Sequence, residues 1–380
     1  MAPEIRLLLR VDTRAPDWWG ARWPEQLVGY ALSPTHASTE TSDMAADAGP
    51  RRVSLAAPRW RRAAAAGLRA LVRHVRGSAS GRRVLGLMSA CGTFGEWHYW
   101  GFLHLPDTGP AMTAHFRRWA ARRYRTPEAA GAAWGMPIAG WGDVRVPGLE
   151  RIANEASAFR AGSYAAWTLD YVRCHQALAA DTLLHFCRTV KQASAGELLA
   201  GAFYGYLFHT PWRDEGGHLE YARVVRSRWV DYLSGPQIYE LRARDLGGSG
   251  LDRGLIADVL RHGKLWFSEA DTPTHIGRRM AYFWRTPEEI ARNAADSIAL
   301  IRRDAARAFT QGNQLWWFDF GRNYTGGEYL DDEIMAEIAQ LARLDGEMAR
   351  LDRAPVAQVA VVYHPASLYH MAHWRAGRDG

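Results

Sequence analysis

At 380 residues the chain is long enough for one large domain or two ordinary ones, and its 48% hydrophobic and 23% charged residues are ordinary for a water-soluble globular protein. The net charge of +7 rests almost wholly on arginine, since Lys191 and Lys264 are the only lysines. The arginines are interleaved with acids along apparent helices rather than massed in a block, so the basic balance is not that of a nucleic-acid surface. No apolar run reaches the ~18 residues of a membrane span.

The first apolar strand is residues 5–11, followed by a loop through Asp12 and Asp17 that is read as capping. Residues 33–57 form a polar excursion, and a helix is predicted over 58–76. A second strand, 83–90, leads into Cys91-Gly92-Thr93-Phe94-Gly95-Glu96-Trp97-His98-Tyr99-Trp100, where one carboxylate stands among glycines and aromatics. Helices follow at 112–124, 126–134 and 155–192, then a strand at 198–206. A short strand at 230–233 precedes Tyr239 and Glu240, and a helix spans 255–262. Strand 264–269 ends in Glu269, with Asp271 close behind. A capping box at Thr286-Pro287-Glu288-Glu289 opens the next helix. Strand 314–319, a helix over 331–351 and a new strand over 356–363 complete the pattern.

Strand and helix therefore alternate six times, with strands apolar on both faces, the pattern of a parallel sheet covered by helices. A doubly wound sheet and a barrel both fit it. No Gly-x-Gly-x-x-Gly follows the first strand, which counts against a dinucleotide-binding sheet, and a barrel needs eight units.

The polar residues of interest fall just after strand ends, the edge on which parallel α/β barrels build their sites. Glu96 and Glu269 are the candidate catalytic pair. Facing carboxylates suit glycoside hydrolysis, one acid protonating the leaving oxygen while the other attacks the anomeric carbon. The aromatic setting of Glu96 is expected to keep water away and favour its protonated form, with Tyr239 donating to Glu269. Trp97, Trp316 and Trp317 are expected to stack on sugar rings, a use that accords with 17 Trp and 15 Tyr in the chain. His209 and Asp319 complete the expected substrate site. The cysteines Cys91, Cys174 and Cys187 show no metal-ligand spacing and no disulfide framework, so neither a metal nor a cofactor is expected.

The chain resembles the family 42 glycoside hydrolases, the β-galactosidase type within the clan of retaining (β/α)8 enzymes. The resemblance is carried by Phe116 through Tyr124 with Thr126 and Ala133-Trp134-Gly135, by Phe267-Ser268-Glu269-Ala270-Asp271, and by residues 312–319 with their Trp-Trp-Phe-Asp core. It implies a (β/α)8 TIM-barrel fold of which about six of eight units are visible. Glu96 would then close barrel strand four as acid/base, and Glu269 strand seven as nucleophile. It further implies that residues 1–352 are an incomplete catalytic barrel, strands three to eight. Residues 353–380 would be the start of a truncated second domain. Gly95 stands where the clan usually has a sugar-holding Asn.

The expected partner is an oligosaccharide, polysaccharide or simple β-glycoside, with no nucleic acid and no membrane, and a homo-oligomer is compatible with the sequence. Met1-Ala2-Pro3-Glu4 shows no signal peptide, so a cytoplasmic location is expected, with the reservation that an upstream segment would change it. The alternative is a carbohydrate-binding pseudo-enzyme that keeps the aromatic cleft without turnover.

Overall fold

The computed structural model describes residues 5–32, 52–101, 104–153, 163–208, 216–239, 242–277, 290–319, 327–354 and 356–370. These fall into two compact units. The first comprises the chain up to Tyr204 with residues 216–231 and 363–370, and the second comprises 205–208 and 232–362.

In the first unit the elements are β1 (Leu7–Asp12), α1 (Asp17–Arg22), α2 (Pro58–Gly77), β2 (Val84–Ala90), α3 (Pro110–Tyr124), α4 (Pro127–Trp134), α5 (Glu150–Ala153), α6 (Ser163–Ala193), β3 (Leu199–Phe203) and α7 (Tyr221–Val225). The strands are parallel, β1 on β2 and β2 on β3. All but one residue of β2 is buried, whereas Arg10 and Asp12 of β1 are exposed.

Helix α2 owes its seat to spacing. Trp60, Leu68, Val72 and Val75 recur with the helical period and are all buried, while arginines fill the other face. Trp60 meets Phe186 of α6 edge-on at 5.5 Å. Helix α4 starts at Thr126, whose side chain accepts the Ala129 N–H at 3.2 Å, with Pro127 at the first helical position. It stops at Gly135 in the left-handed conformation, so the Ala-Trp-Gly stretch is a helix C-cap. Trp134 is buried and stacks on Phe116 at 5.6 Å, and its indole N–H reaches the buried Asp170 at 3.1 Å.

In the second unit the elements are β4 (Tyr232–Pro236), α8 (Ile256–Arg261), β5 (Leu265–Ala270), α9 (Ala294–Gln311), β6 (Gln314–Trp317) and α10 (Asp332–Met348). Again the strands are parallel and sequential, β4 on β5 and β5 on β6. Asn293 caps α9 by accepting the Asp296 N–H at 2.9 Å, and Asp331 caps α10 by accepting the Glu333 and Ile334 N–H groups. Each such cap is worth about 1 kcal/mol. The core between sheet and helices holds Ile301, Ala305, Phe309, Tyr329, Ile334 and Leu341, with Leu315 and Trp317 packed against it.

Six parallel strands in chain order, separated by helices, make this the partial (β/α)8 arrangement that the resemblance implies. One expected strand does not form. Residues 356–363 carry no strand, and Val356, Val359, Val361 and Val362 are 81% to 96% exposed. Apolar alternation alone does not make a strand without a neighbouring backbone to pair with. The capping box at 286–289 and the first residues of the expected helix 155–192 lie outside the described residues. No described helix is long and apolar enough to cross a membrane.

Candidate active site

The turn after β2 is built to present Glu96. Thr93 N–H donates to the His98 carbonyl at 2.9 Å and Trp97 N–H to the Cys91 carbonyl at 2.7 Å, closing the loop on itself. Gly92 has φ +78°, and a Cβ there would stand 2.0 Å from the His98 carbonyl oxygen, so only glycine fits. Phe94 and Trp97 also take positive φ, 58° and 62°. Each such residue costs about 1–3 kcal/mol and persists only where its surroundings enforce it, a pattern that clusters at functional sites.

Gly95, the departure from the clan pattern, has a physical cause. Its φ is +73°, and a Cβ would come within 2.6 Å of the Arg10 guanidinium and 3.0 Å of the Ala90 side chain. Arg10 donates to the Phe94 carbonyl and lies 5.0 Å from the Phe203 ring, so the space an asparagine would need holds an arginine from β1.

The surroundings of Glu96 differ from the expected aromatic wrap. Trp97, Tyr99 and Trp100 are 1% to 2% exposed and point into the core of the first unit. The Trp97 indole donates to the Ser89 carbonyl at 2.9 Å and its ring packs against Phe186, which corrects its assignment as a stacking surface for sugar. Two imidazoles stand near Glu96. His218 Nε2 lies 2.8 Å from the Glu96 carbonyl oxygen, and His98 Nε2 lies 3.7 Å from carboxyl Oε2.

At the end of β5 strict alternation decides which way Glu269 faces. Ser268 bonds Asp252 at 2.7 Å and receives the Trp266 indole and the Asn313 amide, all on the opposite side of the strand. A slip of one residue would exchange Glu269 and Ser268 between faces. Glu269 is 5% exposed, and its lateral neighbours in register are Pro236 on β4 and Trp316 on β6. Registered residues share a face, so Trp316 stands beside Glu269. Trp317 takes the other face, meets Tyr329 at 6.0 Å and packs on the helix core, which removes it from the expected substrate surface.

Tyr239 donates to Asp271 at 2.5 Å. Burial, and next the charge of Asp271, push the Tyr239 phenol well above its ordinary range, so it stays a donor. Asp271 is fully buried and pairs with Arg244, Nη2 to Oδ1 at 2.5 Å and Nη1 to the Asp271 carbonyl at 2.9 Å. The Arg244 guanidinium stands 4.0 Å from the centre of the Tyr239 ring, and that of Arg253 4.4 Å. Asp319 accepts the Gly327 and Glu328 N–H groups at 2.8 and 2.9 Å, a turn-holding role. Burial pushes the neighbouring Glu328 carboxyl from 4.5 up to about 8, with the charges of Asp271 and Asp319 adding to it.

His209 and Glu240 lie outside the described residues. Sequence reasoning missed His98, His218, Arg244 and Glu328 as site residues. His98 sits two positions beyond Glu96 and was readable as a Glu-x-His spacing, whereas His218 comes from 122 positions away.

The sequence matches no family model and no curated protein. Solved structures do match. A β-galactosidase from the psychrophilic Marinomonas ef1 superposes with a TM-score of 0.57 at 14% identity, covering 92% of this chain and 52% of that one. A β-galactosidase from the Antarctic haloarchaeon Halorubrum lacusprofundi gives 0.58 at 16%, covering 96% and 52%. A family 42 β-galactosidase from G. stearothermophilus gives 0.55 at 11%, covering 90% and 47%.

The chain has the fold of the family 42 β-galactosidases. It spans about half the length of these structures. The catalytic domain of a β-amylase from Paenibacillus polymyxa matches too, at 0.52 and 13% identity over 80% of this chain and 70% of that one, so the fold by itself does not select the substrate.

Proposed function

We propose that the protein is a retaining β-glycoside hydrolase acting on β-linked sugars such as β-galactosides. Glu96 is the acid/base and Glu269 the nucleophile. The carrying observation is that each glutamate closes a parallel strand or its following turn and is held by dedicated packing, Glu96 on a strained glycine turn and Glu269 between Pro236 and Trp316. The fold likeness to β-galactosidases supports the same reading.

In the first step the Glu96 O–H gives its proton to the glycosidic oxygen as the carbon–oxygen bond breaks, and a Glu269 carboxylate oxygen bonds the anomeric carbon. In the second, Glu96 as carboxylate takes a proton from water, whose oxygen displaces Glu269. Retention by this route asks for roughly 5–5.5 Å between the carboxyls. Trp316, on the face of Glu269, supplies stacking surface, and Arg244 with Tyr239 holds Asp271 in place. On this reading residues 1–352 are an incomplete catalytic barrel and residues 353–380 the start of a second domain.

The test is turnover of a panel of aryl β-glycosides by the wild type and by Glu269→Gln. The reading expects a loss of several orders of magnitude in the variant, and equal rates would remove Glu269 as nucleophile. Saturable sugar binding with no turnover in the wild type would favour a binding protein instead.

A further inference from the structure

Arg10 is in register with Met88 of β2, and Met88 with Gly201 of β3. Side chains alternate along a strand, so Arg10, Ala90 and Phe203 share one face of these three strands. Ser89, on the opposite face, lies against the Cys187 thiol of α6. Arg10 is thus on the face turned away from that helix, the interior side of a (β/α)8 arrangement. It is also two residues from the carboxyl end of β1, the edge on which such folds build their sites.

Its guanidinium is held at two points. It donates to the Phe94 carbonyl in the turn that carries Glu96, and it stands 5.0 Å from the centre of the Phe203 ring. Gly95 makes room for it, because a Cβ there would come within 2.6 Å of Nη2. A planar fork placed in this way loses little freedom on binding a second group. The side chain is exposed, and no acid among the described residues pairs with it. Asp12, two positions along β1, is taken by Arg14 at 2.5 Å.

We propose that Arg10 is a specificity-determining residue, and that the sugar bound beside Glu96 carries an anionic substituent, a carboxylate or a sulfate ester. A neutral galactose does not call for an uncompensated cation. An anionic sugar brought to two catalytic carboxylates is repelled unless a cation answers it. The guanidinium fork meets such oxyanions with paired N–H donors. The inference deepens the hydrolase reading and rests on Glu96 as the acid/base.

The test compares nitrophenyl glycosides that share one leaving group: the β-galactoside, the β-galacturonide and a set of β-galactoside monosulfates. The wild type is expected to favour an acidic substrate over the neutral one by about 10-fold or more in kcat/KM, and the one favoured identifies the anion. Arg10→Met should lower kcat/KM on that substrate by about 10–100-fold, the worth of a hydrogen bond to a charged group, and change the neutral rate by less than about 3-fold. The neutral rate also reports that the variant is folded. Arg10→Lys, which keeps the charge without the fork, should fall between the two. Added salt should narrow the wild-type preference by screening.

A wild type that turns over the neutral galactoside faster than every acidic one would overturn the proposal without recourse to any variant. So would no loss in Arg10→Met, or equal losses on acidic and neutral substrates, the mark of a residue that only braces the turn. Glu96→Gln and Glu269→Gln run alongside tell the failures apart. If both lose turnover of the neutral galactoside and no acidic preference exists, only the role of Arg10 falls. If the wild type hydrolyses none of the substrates, the hydrolase reading fails and the proposal with it.

Discussion

Replacing Arg244 by Met probes the buried ion pair at the end of β5. Arg244 and Asp271 are 3% and 0% exposed and meet at 2.5 Å, with a second bond from Nη1 to the Asp271 carbonyl. Methionine fills a similar volume without a charge and keeps the Tyr239 hydroxyl as a donor to Asp271. Breaking a buried pair by removing one partner costs about 3–5 kcal/mol, because the surviving charge loses its compensation. The cation–ring contact with Tyr239 adds roughly 1 kcal/mol. About 4 kcal/mol is therefore expected near neutral pH. The assay is urea denaturation with linear extrapolation, extended to a double-mutant cycle with Asp271→Asn. The double variant should be less destabilised than the sum of the singles by about 2 kcal/mol or more, since a neutral amide no longer needs the guanidinium. A loss under about 1 kcal/mol for Arg244→Met, or strict additivity, would refute the reasoning.

Two further outcomes follow from the same strand ends. Trp316→Ala should raise KM for glycosides with little change in stability, whereas Trp317→Ala should cost roughly 2–3 kcal/mol in denaturation and leave KM nearly unchanged, because the two rings lie on opposite faces of β6. The Glu328 carboxyl, raised in the folded state from 4.5 to about 8, binds more protons folded than unfolded between those values. Its contribution to stability is therefore fully present below about pH 4.5 and is lost as pH rises toward 8, at up to about 1.4 kcal/mol per pH unit. Urea midpoints measured across that window should fall with pH in the wild type and fall less steeply in Glu328→Gln.

The strands were legible because their apolar runs are bounded by glycine, proline and acids, as at 83–90 and 264–269. Helix limits were legible where caps are chemical, as at Thr126, Gly135 and Asp331. Within the site, sequence placed the two glutamates at strand ends but could not sort the residues around them. Trp316 and Trp317 look equivalent in a string, and only the register of β6 on β5 tells the ring beside Glu269 from the core ring. Trp97 reads as a site aromatic beside Glu96, yet its positive φ turns the indole inward toward Ser89. The bond from Tyr239 to Asp271, and the buried Arg244 paired with the same acid, have no local sequence signal. His218 was beyond reach because no local pattern joins it to Glu96. The exposed valines of 356–362 show the converse, a good strand pattern that pairs with no strand among the described residues.

The central claim, that Glu269 attacks the anomeric carbon while Glu96 serves as acid/base, is tested most directly by trapping. A fluorinated β-galactoside with a good leaving group slows both steps, and the second more, so that a covalent glycosyl-enzyme accumulates and its site can be read by peptide mass spectrometry. The account predicts one sugar per chain, on the peptide containing Glu269, with Asp271 unlabelled. Label on Asp271 or Glu328, or hydrolysis with inversion and no covalent species, would contradict it.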